Sequence, residues 1–442
     1  MKKILVYFLL SFLFGLAIYL IPLNIPYQAH LVLAISVTIG ILWLTEAIPI
    51  YVTSLLIPLL LVIFANFNVK DVFFPFFDPV VVLLMGGFAL AYSLQKYGLD
   101  EIVAHFFIMK IGTSPKRFLL GMMLATAFLS MWMSNSATSA VMIPILLVVL
   151  KDTGLKPFKS SYAKAAVLGV AFAATIGGLG TIVGTTPNAM AVKFLADENI
   201  SISFLDWMYH SVPFTIFFLF IAWFLLLLVY KPEIKQIHVK KRKISLNKNQ
   251  IKTLSIFSIT VLLWLTSGLH NISIALVALV PIVLFYAFKM FNRNDFGKFD
   301  WDILILVGGG LSLGSAIEAS GLNVIIAEFM RNMVLGNPLF IVLFLTSIFC
   351  IFLTLFSSNT GTAAFIIPAI IPLSSALGID TRILVILAGI SVSLDFLVPI
   401  GTPPNAVAYS TGYIHIKDMI KIGIILALLG ALLLSFFAVL YW

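Results

Sequence analysis

The chain has 442 residues, 61% of them hydrophobic and only 10% charged, with a mean hydropathy of +1.12. Ordinary soluble domains carry about 25% charged and 45–50% apolar residues, so the composition excludes a cytosolic enzyme, a secreted disulfide scaffold and a nucleic-acid-binding protein. It implies a polytopic membrane protein, whose net charge of +9 reflects orientation and whose single cysteine, Cys350, allows neither an internal disulfide nor a cysteine metal cluster.

A helix needs about 20 apolar residues to cross about 30 Å of hydrocarbon. Lys2 and Lys3 before the apolar run 4–21 resemble the start of a signal peptide, but the run is long enough to span and no small-residue cleavage site follows. Residues 1–27 are therefore read as a retained first span. Charge-free runs predict spans near 4–22, 28–47, 49–66, 80–97, 163–194, 207–230, 252–269, 272–291, 302–318, 381–411 and 418–441, eleven in all.

Two apolar stretches do not fit as simple spans. Residues 118–150 carry no charge, and as one helix they would run about 50 Å at 1.5 Å per residue. Their centre is polar, with Ser130, Ser134, Asn135, Ser136, Thr138 and Ser139. Both flanks are basic, with Lys110, Lys116 and Arg117 before and Lys151, Lys156, Lys159 and Lys164 after. Positive flanks favour the cytoplasmic side, which predicts a re-entrant hairpin over about 115–150. The stretch 332–379, with Ser357, Ser358, Asn359, Thr360 and Thr362 at its centre, predicts a second hairpin over about 338–375 that enters from the outer face.

With the N-terminus inside, the basic linker 231–251 also falls inside, where Lys231, Lys235, Lys240, Lys241, Arg242, Lys243 and Lys248 face one acid, Glu233. Only Lys70, Lys193, Arg331 and Arg382 fall outside, against 23 basic residues inside. The expected orientation is N-terminus cytoplasmic and C-terminus external, in a cell (inner or plasma) membrane.

The halves resemble each other. Gly86-Gly87 and Gly98 recur as Gly309-Gly310 and Gly321, and Ser134-Asn135-Ser136 as Ser358-Asn359-Thr360. Gly184-Thr185-Thr186-Pro187-Asn188 recurs as Gly401-Thr402-Pro403-Pro404-Asn405. Five predicted spans separate the hairpins, so repeat 1 (28–230) and repeat 2 (252–442) are expected to be inverted. Repeats with interrupted helices at matching places point to a secondary transporter with a midplane site. Taken singly, each motif has a plainer reading: Gly pairs pack helices, and Ser or Thr hydroxyls bond back to their own backbone.

Each Gly-Thr-x-Pro-Asn should break its span, because proline lacks a donor and disfavours helix in the residue before it. Exposed carbonyls with Ser, Thr and Asn oxygens suit Na⁺, while amides at half-helix N-termini favour an anion. No Arg or Lys sits in either motif. An anion there would be held by neutral donors and bound cations.

These paired tips and paired breaks resemble the divalent anion/sodium symporters, which carry dicarboxylates, citrate or sulfate, over nearly the whole chain. The resemblance implies an all-α fold of eleven spans and two re-entrant hairpins, divided into scaffold and transport domains. It also implies a homodimer among membrane lipids with an elevator motion, Na⁺ as co-transported ion, no organic cofactor and no nucleic-acid partner. One sodium site would use Ser130, Ser134, Asn135 and the Gly184 backbone, and the other Thr354, Ser358, Asn359 and the Gly401 backbone. A small dianion such as succinate, malate or fumarate would meet Asn135, Ser136, Asn359 and Thr360, with Thr185, Thr402 and Pro403 lining the pocket. Two residues depart from the family pattern: Ser136 stands where Thr is usual, and Thr186 where Pro is usual.

Asp395 is an acid in an apolar stretch just before the second break. Intramembrane acids are functional candidates by default, here for proton coupling or a further cation. The alternative is an acid held by a local hydrogen bond or facing an aqueous cavity. No HExxH, Gly-x-Ser-x-Gly or histidine pair at metal spacing supports a membrane enzyme. An anion channel would give uncoupled flux. An exchanger of the same fold, or a sulfate or citrate carrier, shares every motif.

Overall fold

Hydrocarbon offers the backbone no hydrogen-bonding partner, so charge-free runs of Leu, Ile, Val and Phe satisfy their peptide groups within helices. The computed structural model describes residues 2–237, 245–355, 357–399 and 401–442, and within them it is all-α, without strands. Helices α1 (Lys2–Leu20), α2 (Tyr27–Thr45) and α3 (Ile50–Ala65) lead to a short α4 (Val69–Phe73). Next come α5 (Pro79–Lys96), α6 (Leu99–Ile111) and the helical hairpin α7 (Pro115–Ser130) and α8 (Asn135–Asp152). The interrupted pair α9 (Ser161–Gly178) and α10 (Thr186–Asp197) precedes α11 (Phe204–Val229). Beyond the linker lie α12 (Lys248–Leu265), α13 (Ser267–His270), α14 (Ile274–Ala287), α15 (Arg293–Phe296), α16 (Trp301–Ala319) and α17 (Leu322–Val334). A second hairpin, α18 (Leu339–Thr354) and α19 (Asn359–Leu377), is followed by the interrupted pair α20 (Thr381–Ser391) and α21 (Pro403–Ser410), and by α22 (Ile416–Leu440).

Among the described residues, eight helices are long and apolar enough to cross a membrane, and five shorter apolar helices accompany them. Every predicted apolar run coincides with a helix, and the runs 163–194 and 381–411 are each divided in two. Helices α6 and α17 were not expected. Asp100, Glu101 and Lys110 in the one, and Glu328 and Arg331 in the other, give these segments the charge of a loop. Each begins after a glycine in the left-handed region, Gly98 (φ 64°) and Gly321 (φ 75°), conformations that a side chain would strain.

Local chemistry sets the ends. Asp78 accepts from the Val80 amide and Pro79 opens α5. Ser203 and Asp206 form a capping box on α11, as Asn247 and Gln250 do on α12. In the linker, the Glu233 carboxylate accepts from Ser160 Oγ and from the Tyr162 amide, tying the linker to the start of α9. Lys240, Lys241, Arg242 and Lys243 of that linker lie outside the described residues.

Burial separates inner helices from outer ones. The apolar window of α9 is 89% buried, that of α11 only 33%. Hairpin helix α7 packs on α9, and both α18 and α19 pack on α20, while α5 lies against α14 and α16 against α3. The Gly pairs serve these crossings: a methyl on Gly86 would overlap the Ala278 backbone, and one on Gly309 would lie 2.6 Å from Ser54 Cβ. The halves also cross over. Helix α8 packs against α21, and α10 against α19.

Candidate functional site

Both hairpins turn in the same way. Ser134, at φ −59° and ψ 146°, caps α8 by accepting from the Ala137 amide at 3.2 Å. Ser358, at φ −66° and ψ 147°, caps α19 by accepting from the Gly361 amide at 3.0 Å. In the first turn Ser130 Oγ donates to Asn135 Oδ1 at 2.7 Å and lies 2.6 Å from the Ala174 carbonyl. In the second, Thr354 Oγ1 donates to Asn359 Oδ1, also at 2.7 Å. These bonds fix the two asparagine amides at matching places.

The breaks match as well. Asn188, fully buried, donates from Nδ2 to the carbonyls of Gly178, Leu179 and Thr181 at 3.0, 3.3 and 2.7 Å. Asn405, also fully buried, donates to the carbonyls of Asp395 and Val398 at 3.3 and 3.1 Å. Thr185 (φ −147°, ψ 146°) and Thr402 (φ −140°, ψ 147°) are extended and lead into α10 and α21. Pro187 and Pro403 sit in the first turn of these helices, where a missing amide proton costs nothing. Sequence reading placed the two asparagines in the motif but gave them no role. Their role is to satisfy the carbonyls that the break would otherwise leave unpaired.

The predicted residues of the first cation site converge. A methyl on Gly184 would fall 2.5 Å from the Gly178 carbonyl oxygen and 2.9 Å from that of Ser130, and one on Gly178 would overlap Asn135 Oδ1. Hairpin turn and break are therefore in backbone contact, at a point rich in neutral oxygens, where only glycine fits. At the second break the three atoms nearest a methyl on Gly401 all belong to the Asp395 carboxylate.

Around the residues predicted to meet the anion, the halves come together. Thr186 and Thr360 share a hydrogen bond between their hydroxyls. Thr186 is the first residue of α10 and Thr360 the second of α19, so two positive helix ends meet there. Thr402 is buried with its hydroxyl unpartnered, Ser136, Thr185 and Asn359 are half-buried, and Pro403 is exposed. Two residues bonded to predicted site residues escape sequence reading. Thr186 was noted only as a departure from Pro, and Asp300, just before α16, accepts from Ser134 Oγ at 3.2 Å. No local motif marks Asp300, because it reaches the hairpin from 166 residues away.

A family model described as the sodium:sulfate symporter transmembrane region matches residues 2–442. The chain is 31% identical to an uncharacterized transporter of Haemophilus influenzae, over 98% of this chain and 96% of that one. It is 34% identical to the sodium-dependent dicarboxylate transporter SdcS of Staphylococcus saprophyticus, over 91% of this chain and 84% of that one. Among solved structures, the YdaH transporter of Alcanivorax borkumensis superposes with a TM-score of 0.60 at 14% identity, over 84% of this chain and 86% of that one. The MtrF pump of Neisseria gonorrhoeae does so with the same score at 13% identity, over 86% and 84%. Both are likenesses of fold. With the family matched along almost its whole length and its relatives named as transporters and not enzymes, the chain belongs to the sodium:sulfate symporter family of membrane transporters.

Proposed function

We propose that this protein carries out sodium-coupled symport of a divalent anion, a C4-dicarboxylate such as succinate, malate or fumarate, by an elevator-type alternation of access. The observation that carries this reading is the meeting of the α10 and α19 N-termini at Thr186 and Thr360, with no Lys or Arg in either motif. Two positive helix ends at one point favour an anion between them. Neutral donors alone leave a dianion's charge uncompensated, and the oxygen-rich turns beside Asn135 and Asn359 are suited to supplying it as bound Na⁺. The sodium dependence and dicarboxylate substrate in the name of the Staphylococcus relative agree with that chemistry.

In this reading the hairpins are re-entrant, the two halves are inverted repeats, and the protein is a homodimer with its N-terminus in the cytoplasm and its C-terminus outside. The distribution of basic residues, 23 against 4, supports the orientation. Ser136 and Pro403 line the pocket with Thr185 and Thr402.

The test is radiolabelled succinate uptake into proteoliposomes. Concentrative uptake under an inward Na⁺ gradient, lost when K⁺ replaces Na⁺, is the expected result. Uptake that ignores the gradient and requires dicarboxylate inside the vesicle would assign exchange instead.

A further inference from the structure

The matched breaks differ at one position. Counting back six residues from the glycine of each motif gives Gly178 in the first half and Asp395 in the second. The backbone role of the two is the same, since each carbonyl accepts from the asparagine of its own motif, Asn188 or Asn405. Their side chains are not equivalent. Where Gly178 presents nothing, Asp395 presents a carboxylate that lies directly against Gly401.

That carboxylate is poorly provided for. Asp395 is fully buried, so it faces no aqueous cavity. Among the described residues, Oδ1 has one long contact, 3.4 Å from the Leu397 amide, and Oδ2 has no partner. Among the described residues no Lys, Arg or His pairs with it. Close by in the chain, Thr402 Oγ1 and Asn405 Oδ1 are likewise buried without partners. A buried carboxylate with a free oxygen is costly in its charged form unless a cation completes it, the alternative being to hold a proton. The first break holds no acid within its own segment: Asp300 accepts from Ser134 Oγ at the hairpin turn, whereas Asp395 lies directly against the break glycine, Gly401.

We propose that Asp395 is a direct ligand of the cation at the second break, giving that site a formal negative charge that the first break does not contain. The inference rests on the sodium-coupled reading above and adds a specific asymmetry to it. A monovalent cation bound at Asp395 is neutralised by the protein itself. It therefore binds more tightly than its counterpart beside Gly184, and it contributes no charge towards the dianion. The cations that offset the substrate must come from elsewhere, so one cation more is carried than two matched neutral sites would require.

The experiment measures thermal stability of the purified, detergent-solubilised protein as Na⁺ replaces choline at constant ionic strength, without substrate, in wild type, Asp395→Asn and Ser130→Ala. The expected wild-type result is Na⁺-dependent stabilisation in two phases. Asp395→Asn should abolish the tighter phase or move its midpoint about tenfold or more higher in Na⁺, and Ser130→Ala should move only the weaker one. In choline alone Asp395→Asn should melt no lower than wild type, because it removes an uncompensated buried charge. Should Asp395→Asn fail to fold, Asp395→Ser, which keeps a neutral oxygen, reads the same shift. A wild-type response left unchanged in the folded Asp395 variant overturns the assignment of Asp395 and leaves sodium coupling standing. A wild type that ignores Na⁺ overturns both.

Discussion

Thr186 and Thr360 are joined through their hydroxyls across 174 residues of chain, linking the first break to the tip of the second hairpin. The bond exists because α10 packs on α19 and each threonine sits in the first turn of its helix. Replacing the hydroxyl while keeping the branched shape, in Thr186→Val, removes one neutral hydrogen bond, worth about 0.5–1.5 kcal/mol. The apparent KM for succinate should rise about two- to tenfold with little change in kcat, read from uptake at varied substrate. Thr186→Pro should still fold, since the first helical position tolerates proline and Pro403 already occupies that place in α21.

The two asparagine amides are held by bonds of equal length, Ser130 to Asn135 and Thr354 to Asn359. Asn135→Ala and Asn359→Ala should each abolish succinate uptake while the purified proteins remain monodisperse. In the proposed site each asparagine would serve cation and anion together, so neither loss could be offset by raising one solute. Near-normal uptake by either variant would remove these residues from the site.

Ser136 is half-buried at the first tip. Ser136→Thr would add one methyl to the proposed pocket, and a difference of that size is worth about 1–3 kcal/mol of discrimination. Competition of unlabelled citrate against labelled succinate should become weaker in the variant. An unchanged ratio would mean that Ser136 does not touch substrate.

Orientation can be read from single cysteines in a Cys350→Ala background, because Cys350 is buried. Lys235 and Glu198 are both exposed. Lys235→Cys should react with an impermeant maleimide only from the cytoplasmic face and Glu198→Cys only from outside. Reaction of both from the same side would refute the inverted arrangement.

A separate cluster bears on stability. Lys96 Nζ pairs with Asp295 at 2.7 Å and also donates to the Met290 carbonyl, while Tyr92 donates to Asp295 at 2.6 Å. Burial alone would push the Asp295 carboxyl up, but the Lys96 ammonium, the Tyr92 hydroxyl and the Asn292 amide outweigh it and hold the group below the usual carboxylate range. A depressed acid stabilises the fold fully above its unfolded value, near 3.9, and that contribution fades as pH falls through the lower folded value. Lys96→Met should therefore cost about 1–3 kcal/mol at neutral pH, and should shift the onset of acid melting to higher pH. Melting curves between pH 3 and 7 measure both.

Composition and the spacing of polar residues within apolar runs were enough to locate the helices, the two hairpin turns and both breaks, because lipid leaves so few alternatives to helix. Helices α6 and α17 escaped because their charges break the hydropathy signal on which spans are read. Within the site, the residues of each Ser-Asn and Gly-Thr motif were legible from repetition. The partner choices were not. That Ser134 meets Asp300, and that α8 packs on α21 while α10 packs on α19, depends on contacts between distant segments that no local pattern encodes. Asp395 was conspicuous as an acid, but only its position against Gly401 makes it a ligand candidate.

From within α10, the amide of Asn188 reaches back to the carbonyl of Gly178 at the end of α9 and to those of Leu179 and Thr181 in the connecting segment. Straightening or flexing that segment would break bonds worth about 0.5–1.5 kcal/mol each, in a place where no water replaces them. The interruption is thus a locked elbow and not a joint. Any movement that carries α9 must carry α10 with it, so Gly184 and Thr185 travel as one rigid piece. Under the proposed function, exposure to one side of the membrane or the other would then be exchanged at the borders of that piece, and the geometry proposed to recognise ion and anion would pass through the whole cycle undistorted.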